Sequence, residues 1–216
     1  MRTVLIDYGA GNLRSAAKAL ERAAIESSAG GTVEVVSDAD SVRAADRIVL
    51  PGVGAFADCM AGVMGVPGLR DALEEQVIEN AVPFLGICVG MQLMAERGLE
   101  FGAHQGFGWL KGDVARLSPP DSSLKIPHMG WNELDLLPSE HSLLSGVGGA
   151  AKPYVYFVHS YHWVDAEPQE VLAYTDYGGP VVAMVGRANI AGTQFHPEKS
   201  QQAGLALLAN FLKWRP

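Results

Sequence analysis

Three side chains in this sequence have the types and spacing for nucleophilic chemistry: Cys88, His196 and Glu198. Cys88 stands between Gly86 and Gly90, two residues away on each side, after the apolar run Val82, Phe84, Leu85 and Ile87. Such a run predicts a short strand buried on both faces. The flanking glycines suit a sharp strand-to-helix elbow, where a nucleophile sits in strained backbone and helix and strand approach closely. There Cys88 takes the N-terminus of the following helix, whose dipole and free N–H groups favour thiolate over thiol. The same stretch, Pro83 to Gln92, also fits a small buried cysteine in a glycine-rich core turn, and alone it does not decide. The segment Thr193-Gln194-Phe195-His196-Pro197-Glu198 breaks the tie. Two residues apart in extended chain, His196 and Glu198 face the same side. The carboxylate can orient and charge the imidazole while the imidazole takes the thiol proton, which favours a Cys-His-Glu site.

These groups need strands and helices to hold them. Residues 3–6 read as a buried strand, followed by a glycine-rich turn over 7–12. A helix comes next, with Leu13, Ala16, Ala17 and Leu20 on one face. Further strands are predicted over 32–36 and 47–50, and Leu69, Leu73 and Val77 mark an amphipathic helix ahead of the cysteine strand. Helix is expected from Val89 to Glu96. Strands alternating with helices imply a parallel sheet. From Trp109 onward the texture changes to alternating apolar and polar residues, over 110–117, 131–136, 154–163, 171–174, 181–185 and 190–195. These read as shorter antiparallel strands added in the C-terminal half. A final helix, capped by Ser200, is expected to bury Leu205, Leu208 and Leu212. The whole, 1–216, reads as one α/β domain.

Within this frame the loop Pro51-Gly52-Val53-Gly54 ends the strand before the cysteine strand. Loops at the carboxyl ends of parallel strands build the ligand crevice. The backbone N–H groups of Val53 and Val89 are therefore the oxyanion-hole candidates, although the loop alone also reads as a plain turn. Gln92 sits one turn after Cys88 on the same helix face and suits the amino-acid end of a substrate. Glu100 is a further candidate for a substrate ammonium, against a solvated loop carboxylate. His159 and His162 suggest a metal pair, but no carboxylate or cysteine completes a site, and no metal is expected. Gly9-Ala10-Gly11 lacks the third glycine of a dinucleotide fingerprint, since Arg14 stands there, so no nucleotide cofactor is expected.

Composition narrows the classes. The chain has 216 residues, 48% hydrophobic and 19% charged, enough for a full core. Its net charge is −8, with no run of Lys or Arg, which argues against nucleic acid or an anionic membrane as partner. Two cysteines without CxxC spacing give no disulfide framework and no zinc signature. The longest apolar stretch, 81–95, is broken by Pro83 and Gln92 and falls short of the ~18 residues of a membrane span. With a strand directly at the N-terminus and no signal peptide, a cytoplasmic protein is the expectation.

The motif Gly86-Ile87-Cys88-Val89-Gly90-Met91-Gln92 with His196-Pro197-Glu198 resembles the class I (triad) glutamine amidotransferases, over nearly the whole chain. That resemblance implies a flavodoxin-like α/β fold and hydrolysis of the glutamine side-chain amide, with no cofactor. It also implies the same oxyanion pair, Val53 and Val89; the family often has leucine where Val89 stands, a change that a backbone donor tolerates. Gly54, Gln92, Ser160 and Tyr161 would hold the glutamine. Asp7-Tyr8-Gly9-Ala10-Gly11-Asn12, Pro51 to Phe56, Ile126 to Asn132 and Tyr156 to Tyr161 resemble the histidine-pathway branch of the family. There the ammonia passes to a (β/α)8-barrel cyclase in a heterodimer, which makes imidazole glycerol phosphate and aminoimidazole carboxamide ribotide. By the same resemblance Tyr156 and Lys199 lie near the ammonia exit. Pro127, His128, Met129, Gly130, Trp131 and Asn132 lie beside the glutamine site facing the cyclase. Read without it, these residues are a core tyrosine, a surface lysine and a β-turn. Three rivals stay open. One is the glutaminase of another ammonia-channelling synthase such as pyridoxal phosphate synthase, whose Gly-Gly-Glu-Ser loop differs from Pro51-Gly52-Val53-Gly54. The others are a partner-free hydrolase of γ-glutamyl bonds and a non-catalytic binding module.

Overall fold

The computed structural model describes residues 1–138, 141–149 and 151–216. Strands β1 (Arg2–Ile6), β2 (Thr32–Val36), β3 (Arg47–Gly52) and β4 (Phe84–Cys88) alternate with helices α1 (Leu13–Glu26), α2 (Ala39–Arg43), α3 (Phe56–Gly65) and α4 (Leu69–Leu73). Helix α5 (Val89–Gln92) follows β4 without a gap. Ten further strands come next among the described residues: β5 (Arg97–Gly98), β6 (His104–Gln105), β7 (Asp113–Arg116), β8 (His128–Glu133), β9 (Asp135–Leu136), β10 (Tyr154–His159), β11 (Tyr161–Val164), β12 (Val171–Asp176), β13 (Pro180–Arg187) and β14 (Ile190–Thr193). Helix α6 (Gln201–Lys213) follows them.

The main sheet runs β2-β1-β3-β4-β14-β13-β12-β9. Its first five strands pair in parallel, and β13, β12 and β9 extend it antiparallel. Every residue of β3, β4 and β14 is buried, as a parallel strand covered on both faces requires. Helices α1 and α6 pack together; α1 buries Ala16, Leu20 and Ala23, and α6 buries Leu207, Leu208, Phe211 and Leu212. An antiparallel ribbon of β8 and β10 and a small sheet of β11-β7-β5-β6 stand beside the main sheet. The mostly parallel sheet with added antiparallel strands in the C-terminal half is thus the observed architecture.

Five details differ from the sequence reading. The helix after Cys88 ends at Gln92 rather than Glu96. The carbonyls of Leu93, Met94 and Ala95 are taken by the amides of residues 107–110, so they do not continue the helix. The stretch 154–163 is two strands in two sheets, which part at Ser160. Val77 lies on a π-helical turn, Glu74–Glu79, that prolongs α4. Leu205 lies at the edge of the α6 interface, while Leu207 and Phe211 fill it. Ser200 precedes α6 but caps nothing with its side chain. Its hydroxyl donates to the His196 carbonyl at 2.6 Å and accepts from the Tyr156 amide at 3.0 Å.

Candidate active site

Strands β3, β4 and β14 end level with one another: Gly52 pairs with Cys88, and Thr193 with Ile87. The residues that follow these ends, Val53, Val89 and His196, therefore converge on one crevice. Close packing of backbone brings them there. A Cβ on Gly90 would overlap the Leu50 carbonyl, and one on Gly86 would meet the backbone of Gly90 and Met91. Cys88 takes φ +56 and ψ −112, a conformation that costs a residue with a Cβ about 1–3 kcal/mol and is tolerated where the surroundings enforce it. This is the elbow: the sulfur is thrust to the end of β4 with the α5 amides behind it.

His196 is 2% exposed and lies in extended chain after β14. Its backbone is pinned on both sides, since its amide donates to the Tyr156 carbonyl at 2.9 Å and its carbonyl accepts from Ser200. Nδ1 bonds Glu198 Oε1 at 2.8 Å. Nε2 is buried without an aligned hydrogen bond among the described residues, and it faces the Cys88 sulfur. Burial alone would disfavour the imidazolium. Cys88 and Glu198 together overcome it and raise the His196 pKa to about 10. Both neighbours therefore favour the charged imidazole.

Around these groups lies a cavity of about 300 Å³, lined by Val53, Gly54, Cys88, Val89, Gln92, Glu100, Pro127, Val158, His159, Ser160, Tyr161 and His196. It brings together both oxyanion candidates and all the residues expected at the substrate. Gln92 donates through Nε2 to the Tyr161 carbonyl at 3.0 Å and to Gln194 Oε1 at 2.9 Å. Both its N–H hydrogens are used, which leaves Oε1 as its group for a ligand, an acceptor suited to an ammonium. Glu100 lines the cavity and also accepts from the Phe56 amide at 3.0 Å, which caps α3.

His159 and Val158 line the cavity without having been singled out for it by their sequence positions. His159 Nδ1 bonds the Tyr161 carbonyl at 2.9 Å, so it carries the proton, and Nε2 lies 3.1 Å from His128 Nδ1. Burial lowers the pKa of His159 to about 3 and that of His128 to about 4, so both are neutral at pH 7. The polarity is then fixed: His128 donates to His159 and accepts from Asn132 Nδ2 at 3.3 Å. Tyr8 and Cys59 lie beneath the elbow. The Tyr8 hydroxyl donates to the Pro51 carbonyl at 2.6 Å, and the Cys59 thiol to the Val53 carbonyl at 3.3 Å.

The remaining candidates lie on the adjoining ribbon. Met129 and Trp131 are 65% and 45% exposed, whereas His128 is buried between the rings of Phe157 and Tyr177. Gly130 takes φ +127 between them. Lys199 Nζ stands 5.3 Å over the Tyr156 ring, which also meets Trp131 edge-on. Among the described residues no cluster of three or more potential ligands is placed to hold a metal ion. No helix there is long and apolar enough to cross a membrane.

Residues 4–214 match the family model described as glutamine amidotransferase class-I. The chain is 57% identical over 216 residues, the full length of both, to the imidazole glycerol phosphate synthase subunit HisH of Rhodospirillum rubrum. It is 57% identical over 217 residues, again covering both completely, to the subunit of the same name from Mesorhizobium japonicum. Among solved structures, PurLQS from Thermotoga maritima superposes with a TM-score of 0.70 at 20% identity, covering 98% of this chain and 97% of that one. The glutaminase domain of Trypanosoma brucei CTPS gives 0.68 at 16% identity, covering 100% and 95%.

Proposed function

The chain belongs to the class-I glutamine amidotransferase family, and we infer that it is the glutaminase subunit of an imidazole glycerol phosphate synthase, with Cys88, His196 and Glu198 as its triad. One observation carries the chemistry: a cysteine at φ +56 on a strand-helix elbow faces an imidazole whose other nitrogen is 2.8 Å from a buried carboxylate. Cys88 sulfur attacks the side-chain carboxamide carbon of glutamine. The carbonyl π pair moves onto oxygen, where the Val53 and Val89 N–H groups hold it; each such donor is worth roughly 3 kcal/mol. His196 gives its proton to the departing nitrogen, and ammonia leaves as the thioester forms. The neutral imidazole then takes a proton from water, whose oxygen attacks the thioester, and glutamate leaves with the sulfur regenerated. Gln92 Oε1, Gly54 and the backbone of Ser160 and Tyr161 hold the amino-acid end.

The ammonia is of use only where it is consumed before it becomes ammonium in water. The proposed acceptor is a (β/α)8-barrel cyclase that forms a heterodimer with this chain in the cytoplasm. The β8–β10 ribbon supports that reading, because it exposes Met129, Trp131 and Tyr154 on one face, and its Val158, paired with Met129, lines the cavity. Tyr156 and Lys199 would line the exit, with Pro127 to Asn132 against the partner. The isolated chain is proposed to be nearly inactive, its glycine-flanked oxyanion donors turning into place when the cyclase docks. Glutamate release is the test, measured on the chain alone and then with the cyclase and its ribonucleotide ligand. Large activation, lost in Cys88→Ala, is expected; equal rates with and without the partner would overturn the gating and the assembly.

A further inference from the structure

Gln194 is fully buried one residue beyond β14, and the triad does not use it. Its amide orientation is nonetheless dictated by its neighbours. The Tyr161 carbonyl can only accept, so the Gln92 group facing it is the NH₂. The second hydrogen of that NH₂ meets Gln194, which must therefore present Oε1, at 2.9 Å. A flipped Gln194 would set NH₂ against NH₂. The Gln194 nitrogen is thereby turned to the Cys88 sulfur, at 3.7 Å. His159 holds the Tyr161 carbonyl from the other side through Nδ1–H, so the anchor of this chain is itself fixed.

We propose that Gln194 is a further catalytic residue of this site, which donates a carboxamide N–H to the Cys88 sulfur and holds it for attack. This deepens the glutaminase reading and rests on it. A neutral amide is suited to the task. It stabilises negative charge on sulfur and, unlike His196, gives up no proton, so it keeps its bond through both halves of the reaction. The chain of amides also joins substrate to nucleophile. Gln92, whose Oε1 is open to the substrate ammonium, grips Gln194 with the same NH₂ that grips Tyr161. A correctly seated amino-acid end and a correctly aimed sulfur are thus held by one network.

The test uses the complex with the cyclase and its ribonucleotide ligand, and compares Gln194→Met and Gln194→Glu with wild type. The Met variant keeps the volume and loses both the donor to Cys88 and the Oε1 that accepts from Gln92. Its kcat is expected to fall about 10–100-fold, the range of a lost hydrogen bond to a charged group, with a smaller rise in KM from the loosened Gln92. In the Glu variant a carboxylate replaces the donor, so kcat should fall further as pH rises and that carboxyl ionises. The titratable groups coupled to Cys88 and His196 are Glu198, His159, Tyr8 and Cys59, and they are common to wild type and variant, so the added limb belongs to residue 194. A second readout needs no glutamine: the Gln194 side-chain NH₂ signal in ¹⁵N NMR, identified by its loss in Gln194→Met, should move in Cys88→Ala. Unchanged kcat in the Met variant, or an NH₂ signal indifferent to Cys88→Ala, would overturn the proposal. Wild-type complex without Cys88-dependent glutaminase would instead overturn the parent reading, with the NMR result still deciding the Gln194–Cys88 bond.

Discussion

His196 shows how two neighbouring side chains set the charge of a third. Buried without partners it would be neutral; between sulfur and carboxylate its pKa rises to about 10. A raised histidine contributes stability fully below its unfolded value of about 6.5 and loses it as pH rises through about 10. Catalysis should share that limit. In Glu198→Gln, the alkaline limb of kcat/KM should move to lower pH and kcat should fall roughly 10²–10⁴-fold, as when a triad loses the charge that orients its base. A pH–rate series on the two proteins checks this, and an alkaline limb left in place would show that Glu198 does not set the charge of His196. Sequence spacing was enough to find this trio, because His196 and Glu198 share one side of extended chain. Gln194 stands in the same stretch and was passed over. Its signal was present: a lone carboxamide in a segment, 190–195, otherwise apolar or small, where an unpaired amide would be costly.

At the scale of elements, the elbow is a packing solution that costs backbone strain. Gly90 lets α5 lie on the end of β3, and a methyl group there would run into the Leu50 carbonyl. Gly90→Ala is expected to destabilise the protein by about 3 kcal/mol or more, since backbone rather than a flexible side chain must move. The strain at Cys88 can be read separately. Its φ +56, ψ −112 penalises any Cβ, so Cys88→Gly should be more stable than Cys88→Ala by about 1 kcal/mol, opposite to the usual order in a strand. Urea midpoints of the three variants test both statements, and Ala at least as stable as Gly would remove the strain argument. The apolar runs of β1, β3, β4 and β14 were legible because full burial writes itself as continuous hydrophobicity. Less legible was where each element stops. The end of α5 is set by residues 107–110, which take the carbonyls of Leu93, Met94 and Ala95 just beyond it, and the break at Ser160 by a change of sheet. Both depend on partners far along the chain, to which local periodicity is blind.

The whole molecule is assembled around a seam. Parallel strands bring Cys88 and the loop of Val53 and Gly54, while antiparallel strands bring Val158 to Tyr161 as the facing wall of the cavity, and the β8–β10 ribbon joins that wall to the exposed face of Met129 and Trp131. Along the ribbon, Asn132, His128 and His159 form a directional series of hydrogen bonds that ends on the Tyr161 carbonyl, and it works only while both histidines are neutral. Protonating His159 Nε2 would set N–H against N–H at His128. Both folded pKa values, about 3 and about 4, lie below the unfolded value of about 6.5, so the unfolded chain binds more protons between these limits. The stability this pair contributes is therefore complete above pH 6.5 and is lost as pH falls through 4 toward 3. Many carboxylates also titrate in that range, so the pair must be isolated by difference. His128→Phe keeps an aromatic ring between Phe157 and Tyr177 and removes one of the two protonation sites. Its urea midpoint should fall less steeply between pH 7.5 and 4.5 than that of wild type. At pH 7.5 its KM for glutamine should rise with kcat little changed, because the cavity wall loses a support while the triad keeps its own. Parallel pH slopes would show that the histidine pair is not a source of acid sensitivity, and an unchanged KM would mean that the ribbon does not position the glutamine wall.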